Sequence, residues 1–368
     1  MRFPEFSGEW IHCALGDISE VTKLAGFEFT QYVTYEDSGS IIALRGLNCK
    51  NGRLDLSDVK YIDNSNLSKL TRSKLYIGDI LFTYVGTVGE VAIIEENDRY
   101  YLAPNVSRIR LNNGYNPYFV KQLLHTNRFY NKIILPLIAT SSQPALSMEN
   151  VRKFALQIPS ISEQHKISSF LTLLDKRIAT QIKIIEKLES LIKGLCQKLT
   201  QQGNPNTALN EALVCCSSTL QESSVQEAGD YPVYGATGVC GYTDAPEVDG
   251  DSILIIKDGA SVGVTSYASG KYSAIGTLNR LVAKRGYSLR YLYYCLKVFN
   301  FAPYRTGLAI PHIYFRDYGK AKVWCPPIEE QKRITDSLLS VDREIAIEKS
   351  LLEQLYSQKR FLLQAMFI

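Results

Sequence analysis

The feature that most limits how this chain can fold is a stretch of helical periodicity, Pro159 to Thr200, that returns near the end as Pro326 to Met366. A constant offset of 167 residues lays Glu163-Gln164 on Glu330-Gln331, Ile167 on Ile334, Leu171 on Leu338, Asp175 on Asp342 and Leu188 on Leu355. Within the first copy, Ile167, Leu171, Leu174, Ile178, Ile182, Ile185, Leu188, Ile192, Leu195 and Leu199 follow at steps of three or four, which puts them on one helical face. No proline interrupts either segment beyond its opening residues. Ser160 and Glu163 have capping-box spacing, and Gly203 with Pro205 supplies a stop. Two long helices are predicted, over 162–199 and 329–366, each on the order of 55 Å at roughly 1.5 Å per residue.

An apolar stripe of that length must be covered. The two stripes match, so the helices are expected to pair as a coiled-coil-like rod through Ile167, Leu171, Leu174, Ile178, Ile185, Leu188 and Leu195 on one. The other contributes Ile334, Leu338, Val341, Ile345, Leu352, Leu355 and Leu362. Packing of each helix on its own domain is the alternative cover.

Ahead of each helix lies a segment of domain size. The expected order is a first domain over 1–158, a first helical segment over 159–204, a second domain over 205–324 and a second helical segment over 325–368. Runs such as Asp79 to Tyr84, Glu90 to Ile94 and Ser252 to Ile256 read as strands between glycine and Asn/Asp turns. Gly78-Asp79 has its match in Gly250-Asp251, and Gly86 with Gly89 is echoed by Gly259 with Gly263. Tyr118 to Leu124 and Tyr291 to Leu296 each read as a short amphipathic helix. Ser141 to Leu146 aligns with Leu308 to Ile313 at the same offset of 167. The fold class is therefore α+β, with two mixed, strand-rich domains in tandem repeat.

Composition narrows the function by exclusion. A 45% hydrophobic, 21% charged chain with net charge +4 is an ordinary globular protein. It lacks a signal peptide's apolar core and any run of membrane-span length, so a cytoplasmic location is expected. The eight cysteines contain no C-x-x-C pair, which disfavours structural zinc and a disulfide framework. There is no phosphate-cradling G-x-x-x-x-G-K-[ST], and Gly235, Gly238 and Gly241 read as a hairpin rather than a dinucleotide fingerprint. Asn116-Pro117-Tyr118-Phe119 lacks the second proline of an adenine methyltransferase motif and reads as a helix cap. Lys257 ends a strand, but Ile255 stands where a metal-dependent nuclease would need an acid. His12, His125, His165 and His312 are isolated along the sequence. No catalytic constellation, cofactor loop or metal site emerges.

The paired Glu-Gln helix heads, Ser141-Ser142-Gln143-Pro144-Ala145-Leu146-Ser147 and the opening Arg2-Phe-Pro-Glu-Phe-Ser-Gly-Glu-Trp10 together resemble the specificity subunit of type I restriction-modification enzymes. Tyr231-Pro-Val-Tyr-Gly235 is similar to the start of a target-recognition domain in that family. The resemblance spans essentially the whole chain. It implies two domains that each read one half of a split DNA target, with antiparallel helices fixing the spacing. It also implies double-stranded DNA and two modification subunits as partners, with motor-nuclease restriction subunits able to join. No cofactor, no membrane and no catalytic residue is implied. The chain departs from the pattern where Leu308-Ala309-Ile310-Pro311 replaces the polar string of the first domain.

Base-edge reading needs polar side chains on exposed loops, and phosphate anchoring needs cations. In the first domain these requirements point to Arg45, Lys50 and Arg53, then Tyr84, Thr87, Asn105 and Arg108, and Thr140, Ser141, Ser142 and Gln143. In the second they point to Lys257, Ser261, Thr277, Asn279, Arg280, Arg305 and Thr306. Lys176, Arg177, Lys183 and Lys187 could follow the DNA backbone from the first helix. The competing reading is a coiled-coil adaptor whose two domains bind proteins.

Overall fold

The computed structural model describes residues 2–138, 144–307 and 310–367. The principal elements of its first part are β1 (Ser19–Lys23), β2 (Ile80–Thr83), β3 (Val91–Ile93), β4 (Val106–Leu111), α1 (Pro117–Leu124) and α2 (Ile161–Thr200). Then follow β5 (Leu213–Ser217), β6 (Ser252–Ile256), β7 (Thr265–Ala268), β8 (Leu278–Ala283), α3 (Leu289–Lys297) and α4 (Ile328–Met366). The chain divides into two compact units, 1–180 with 352–368, and 181–351. Each unit thus combines a strand-rich domain with half of α2 and half of α4.

In unit 1 an antiparallel sheet has the order β1-β4-β2-β3. The run Ile80-Leu81-Phe82-Thr83 is buried throughout because both faces of β2 are covered. Successive strand side chains point to opposite faces. Ile80 and Phe82 therefore join Phe119 and Val120 of α1 in one core, and Leu81 joins a second core with Ile42, Leu44 and Tyr100. That second core includes a three-stranded sheet in which Ile42–Leu44 pairs in parallel with Tyr100–Leu102.

Unit 2 repeats this plan, with the order β5-β8-β6-β7. Ile253 and Ile255 of β6 face a core with α3, whereas Leu254 and Ile256 face Tyr272 and Ala274 of a second sheet. In that sheet Tyr231–Gly235 pairs in parallel with Lys271–Ala274 and forms the expected glycine-rich hairpin with Gly238–Thr243. The residues between these elements share little sequence, so it is the buried pattern that repeats.

The helices cover their stripes in both of the ways the periodicity allowed. In unit 1, Ile167 and Leu171 of α2 meet Leu362 and Met366 of α4 within the same core as α1. The halves run antiparallel, and Lys359 reaches Asp175 at 2.6 Å. In unit 2, Ile334, Leu338 and Ile345 of α4 share a core with Ile192 and Cys196 of α2 and with α3. Leu174, Leu188, Leu195 and Val341 pack at the edges of these cores. Ile178, Ile185 and Leu355 are buried, and Leu352 is half-buried. Burying one such side chain fully contributes roughly 1.5–3 kcal/mol.

The start of α2 differs from the expected capping box. Ser160 Oγ takes the Glu163 N–H at a long 3.4 Å. The Glu163 carboxylate turns instead to Arg2, which donates from Nε at 2.7 Å and from Nη2 at 2.6 Å. A buried carboxylate gains more from a bidentate guanidinium than from one backbone N–H. Among the described residues, no helix is long and apolar enough to cross a membrane.

Candidate nucleic-acid interface

The same loop cluster is built at one end of each sheet. After β2 the chain continues through Tyr84, whose N–H donates to the Asn105 carbonyl at 3.1 Å and whose carbonyl accepts the Leu146 N–H at 2.8 Å. After β6 it continues through Lys257, whose N–H donates to the Thr277 carbonyl at 3.0 Å and whose carbonyl accepts the Ile313 N–H at 3.0 Å. Gly86 then donates to the Pro144 carbonyl at 3.0 Å, and Gly259 to the Pro311 carbonyl at 2.9 Å. Pro144 and Pro311 stand at the offset of 167 read from the sequence, so one backbone scaffold presents both loops. Gly86 (φ 81°), Gly89 (φ 97°), Gly259 (φ 98°) and Gly263 (φ 92°) make the turns where a Cβ would be strained.

Several expected contact residues sit on this scaffold. Thr87 and Ser261 are exposed in equivalent turns, and Asn105 is exposed with φ 72°. Its counterpart Thr277 is half-buried, as is Lys257. Arg305 is exposed but donates to the Val262 carbonyl at 3.1 Å. Thr306 is exposed where its backbone pairs with His312. Thr140, Ser141, Ser142 and Gln143 lie outside the described residues, as do Leu308 and Ala309.

Other expectations are corrected. Arg108 is 3% exposed, held by Glu20 at 2.9 Å and by the Arg72 carbonyl at 3.0 Å, so it lies inside the scaffold rather than on an exposed loop. Burial, reinforced by Arg110, lowers its pKa. Its counterpart Arg280 is half-buried, with Nη1 3.4 Å from Ser252 Oγ. Asn279 is buried and accepts from Ser217, and Tyr84 is buried with Lys23 Nζ 5.1 Å from its ring centre. Burial raises the Tyr84 pKa. Arg108, Asn279 and Tyr84 hold the scaffold rather than its outer face.

The loop from Arg45 to Arg53 is also more structured than its composition implied. Arg45 donates to the Asp58 carboxylate at 2.8 Å, and buried Asn48 donates to the carbonyls of Asp55 and Asp58. Lys50 and Arg53 remain exposed on a hairpin turned by Asn51 (φ 53°) and Gly52 (φ 74°). A Cβ at Gly52 would come within 3.1 Å of the His125 ring.

The histidines are isolated in sequence but not in space. His312 Nδ1 lies 2.7 Å from Asp258 Oδ1 at the mouth of the unit 2 cluster, and His165 Nδ1 lies 2.8 Å from Asn116 Nδ2. The Asp258–His312 pair carries no periodic or motif signal. Only the repeat offset, which puts His312 opposite Ala145, could have located it. Among the described residues no cluster of His, Cys, Asp or Glu could hold a metal ion.

Residues 8–190 and 214–357 match the family model described as the type I restriction modification DNA specificity domain. The chain is 24% identical to the Methanocaldococcus jannaschii protein named as the type I restriction enzyme MjaX specificity subunit, over 97% of this chain and 92% of that protein. It is 26% identical to the HindI specificity subunit of Haemophilus influenzae over 56% of this chain and 44% of that one. Among solved structures, the S subunit of a type I restriction-modification system from M. genitalium aligns with TM-score 0.65 at 16% identity, covering 100% of this chain and 99% of that one.

Proposed function

Because the chain belongs to the type I restriction-modification DNA specificity family, we propose that its sequence-specificity role is exercised on a split target. Unit 1 reads one half and unit 2 the other. The paired helices set the spacer and carry two modification subunits, to which motor-nuclease subunits can be added. The chain itself contributes recognition, and adenine methylation belongs to the partners.

The observation that carries this reading is the repeated loop cluster. One backbone scaffold, held by Gly86–Pro144 and Gly259–Pro311, presents different side chains in the two units. In the repeat Asn105 corresponds to Thr277 and Thr87 to Ser261, and in sequence the polar string ending at Pro144 corresponds to the apolar one ending at Pro311. A fixed frame with exchangeable side chains suits the reading of two unlike half-sites, since base edges are told apart by donor and acceptor placement.

The test is a map of N6-methyladenine in the host genome with and without the gene. Loss of methylation at one split, asymmetric motif on both strands is the expected result. Unchanged methylation in a strain that expresses the chain and its modification subunit would overturn it.

A further inference from the structure

We infer that unit 1 carries a DNA-phosphate anchor in which Arg128, from the turn after α1, is completed by Arg360 of α4. The inference rests on the DNA-recognition reading above and adds to it a site that helix α4 brings to the first half-site.

Arg128 and Arg360 are exposed along one groove of 440 Å³, together with His125, Asn127, Tyr356 and Lys359. Lys359 is bound to Asp175 at 2.6 Å. Neither arginine has a hydrogen-bond or ion-pair partner among the described residues. Glu353 is the one acid lining the groove. Two unpaired guanidiniums with a tyrosine beside them form a site for a doubly liganded oxyanion, and a guanidinium fork matches phosphate geometry.

Position favours a nucleic-acid phosphate over a carboxylate of a protein partner. His125 and Asn127 also line the adjoining groove, whose other wall is Gly86, Thr87 and Pro144. The guanidiniums therefore continue the face on which the reading loops stand, where the backbone flanking a bound half-site would run. Counted from the equivalent helix caps Asn116 and Ser288, Arg128 corresponds to Asn300, and at the offset of 167 Arg360 corresponds to Lys193, so the anchor belongs to one half-site.

The full chain is titrated with a mixed-sequence duplex of about 30 base pairs at several salt concentrations. Each neutralised phosphate contributes about 0.9 to the slope of log K against log salt, so losing the one phosphate that the two arginines share, in Arg128→Ala/Arg360→Ala, should lower the slope by about 1. Arg128→Lys/Arg360→Lys keeps the charge and should restore it. Arg333→Ala, an exposed arginine on the unit 2 half of α4, should leave it unchanged. An unchanged slope in the folded double alanine variant would overturn the anchor. Loss of modification-subunit capture with an unchanged slope would overturn it in favour of a protein interface. Failure of the wild-type chain to bind duplex in a salt-dependent way would instead sink the DNA-recognition reading, and the anchor with it.

Discussion

Gln164 accepts the backbone N–H of Asn116 at 2.9 Å, tying the head of α2 to the residue that caps α1. Its amide nitrogen donates to the Pro159 carbonyl at 2.8 Å. Gln331 repeats both bonds, accepting from Ser288 at 2.9 Å and donating to Pro326 at 2.8 Å. Both glutamines are buried, and each satisfies one donor and one acceptor that packing has removed from water.

Gln164→Leu or Gln331→Leu should therefore destabilise its unit by about 1–3 kcal/mol, the cost of leaving buried backbone groups unpaired. Urea unfolding would measure this, and a variant as stable as wild type would show that water replaces the amide.

The turn glycines separate two costs. At Gly86 an added Cβ meets nothing within 4 Å, so Gly86→Ala should cost only the backbone penalty, about 1–2 kcal/mol. At Gly263 the Cβ would lie 2.9 Å from the Phe301 ring as well, and Gly263→Ala should cost more. Thermal unfolding of the two variants should rank them in that order.

Acid should weaken unit 1 through His125. Burial first, then Lys121 and Lys359, depress its pKa to about 4, with Asp175 opposing. The unfolded residue titrates near 6.5. Its contribution is complete above that value and is lost as pH falls toward 4, because only the unfolded chain takes up the proton in that window. The total is on the order of 3 kcal/mol. Wild type should lose more stability than His125→Gln between pH 7 and 4.5, and parallel losses would refute the assignment.

Gln181 offers a test of the proposed ruler. It donates to the Glu348 backbone carbonyl at 3.1 Å and to the Glu348 carboxylate, and the two residues are one offset of 167 apart. Equivalent positions of the two helices thus touch here. Seven residues inserted beside each would preserve the stripes and add about 10 Å, or ~3 base pairs at 3.4 Å. The methylated motif should keep both halves and gain that spacer. An unchanged spacer in a methylating variant would count against the helices as rulers.

What could be read from the sequence was whatever repeats. The helices begin and end within a residue of the expected bounds, Asn116 caps α1 as expected, and Pro144 and Pro311 hold equivalent bonds because the offset that aligns the helices also aligns these loops. Side-chain fate was less legible. Arg108 and Arg305 belong to one residue type, yet one is buried in an ion pair and the other exposed, a difference set by strand direction and by neighbours such as Glu20 and Arg72. Arg128 and Arg360 were invisible as a pair because their proximity depends on α4 folding back beside α1.

The division of the helices also sets an order of assembly during synthesis. Unit 2 is one uninterrupted stretch, 181–351, whereas unit 1 needs 352–368 to cover Ile167 and Leu171. The domain translated first is therefore completed last. Until α4 emerges from the ribosome, the head of α2 exposes leucine and isoleucine that a chaperone or a second nascent chain could bind. A stop codon after residue 351 would spare the unit made later and leave the earlier one unfinished.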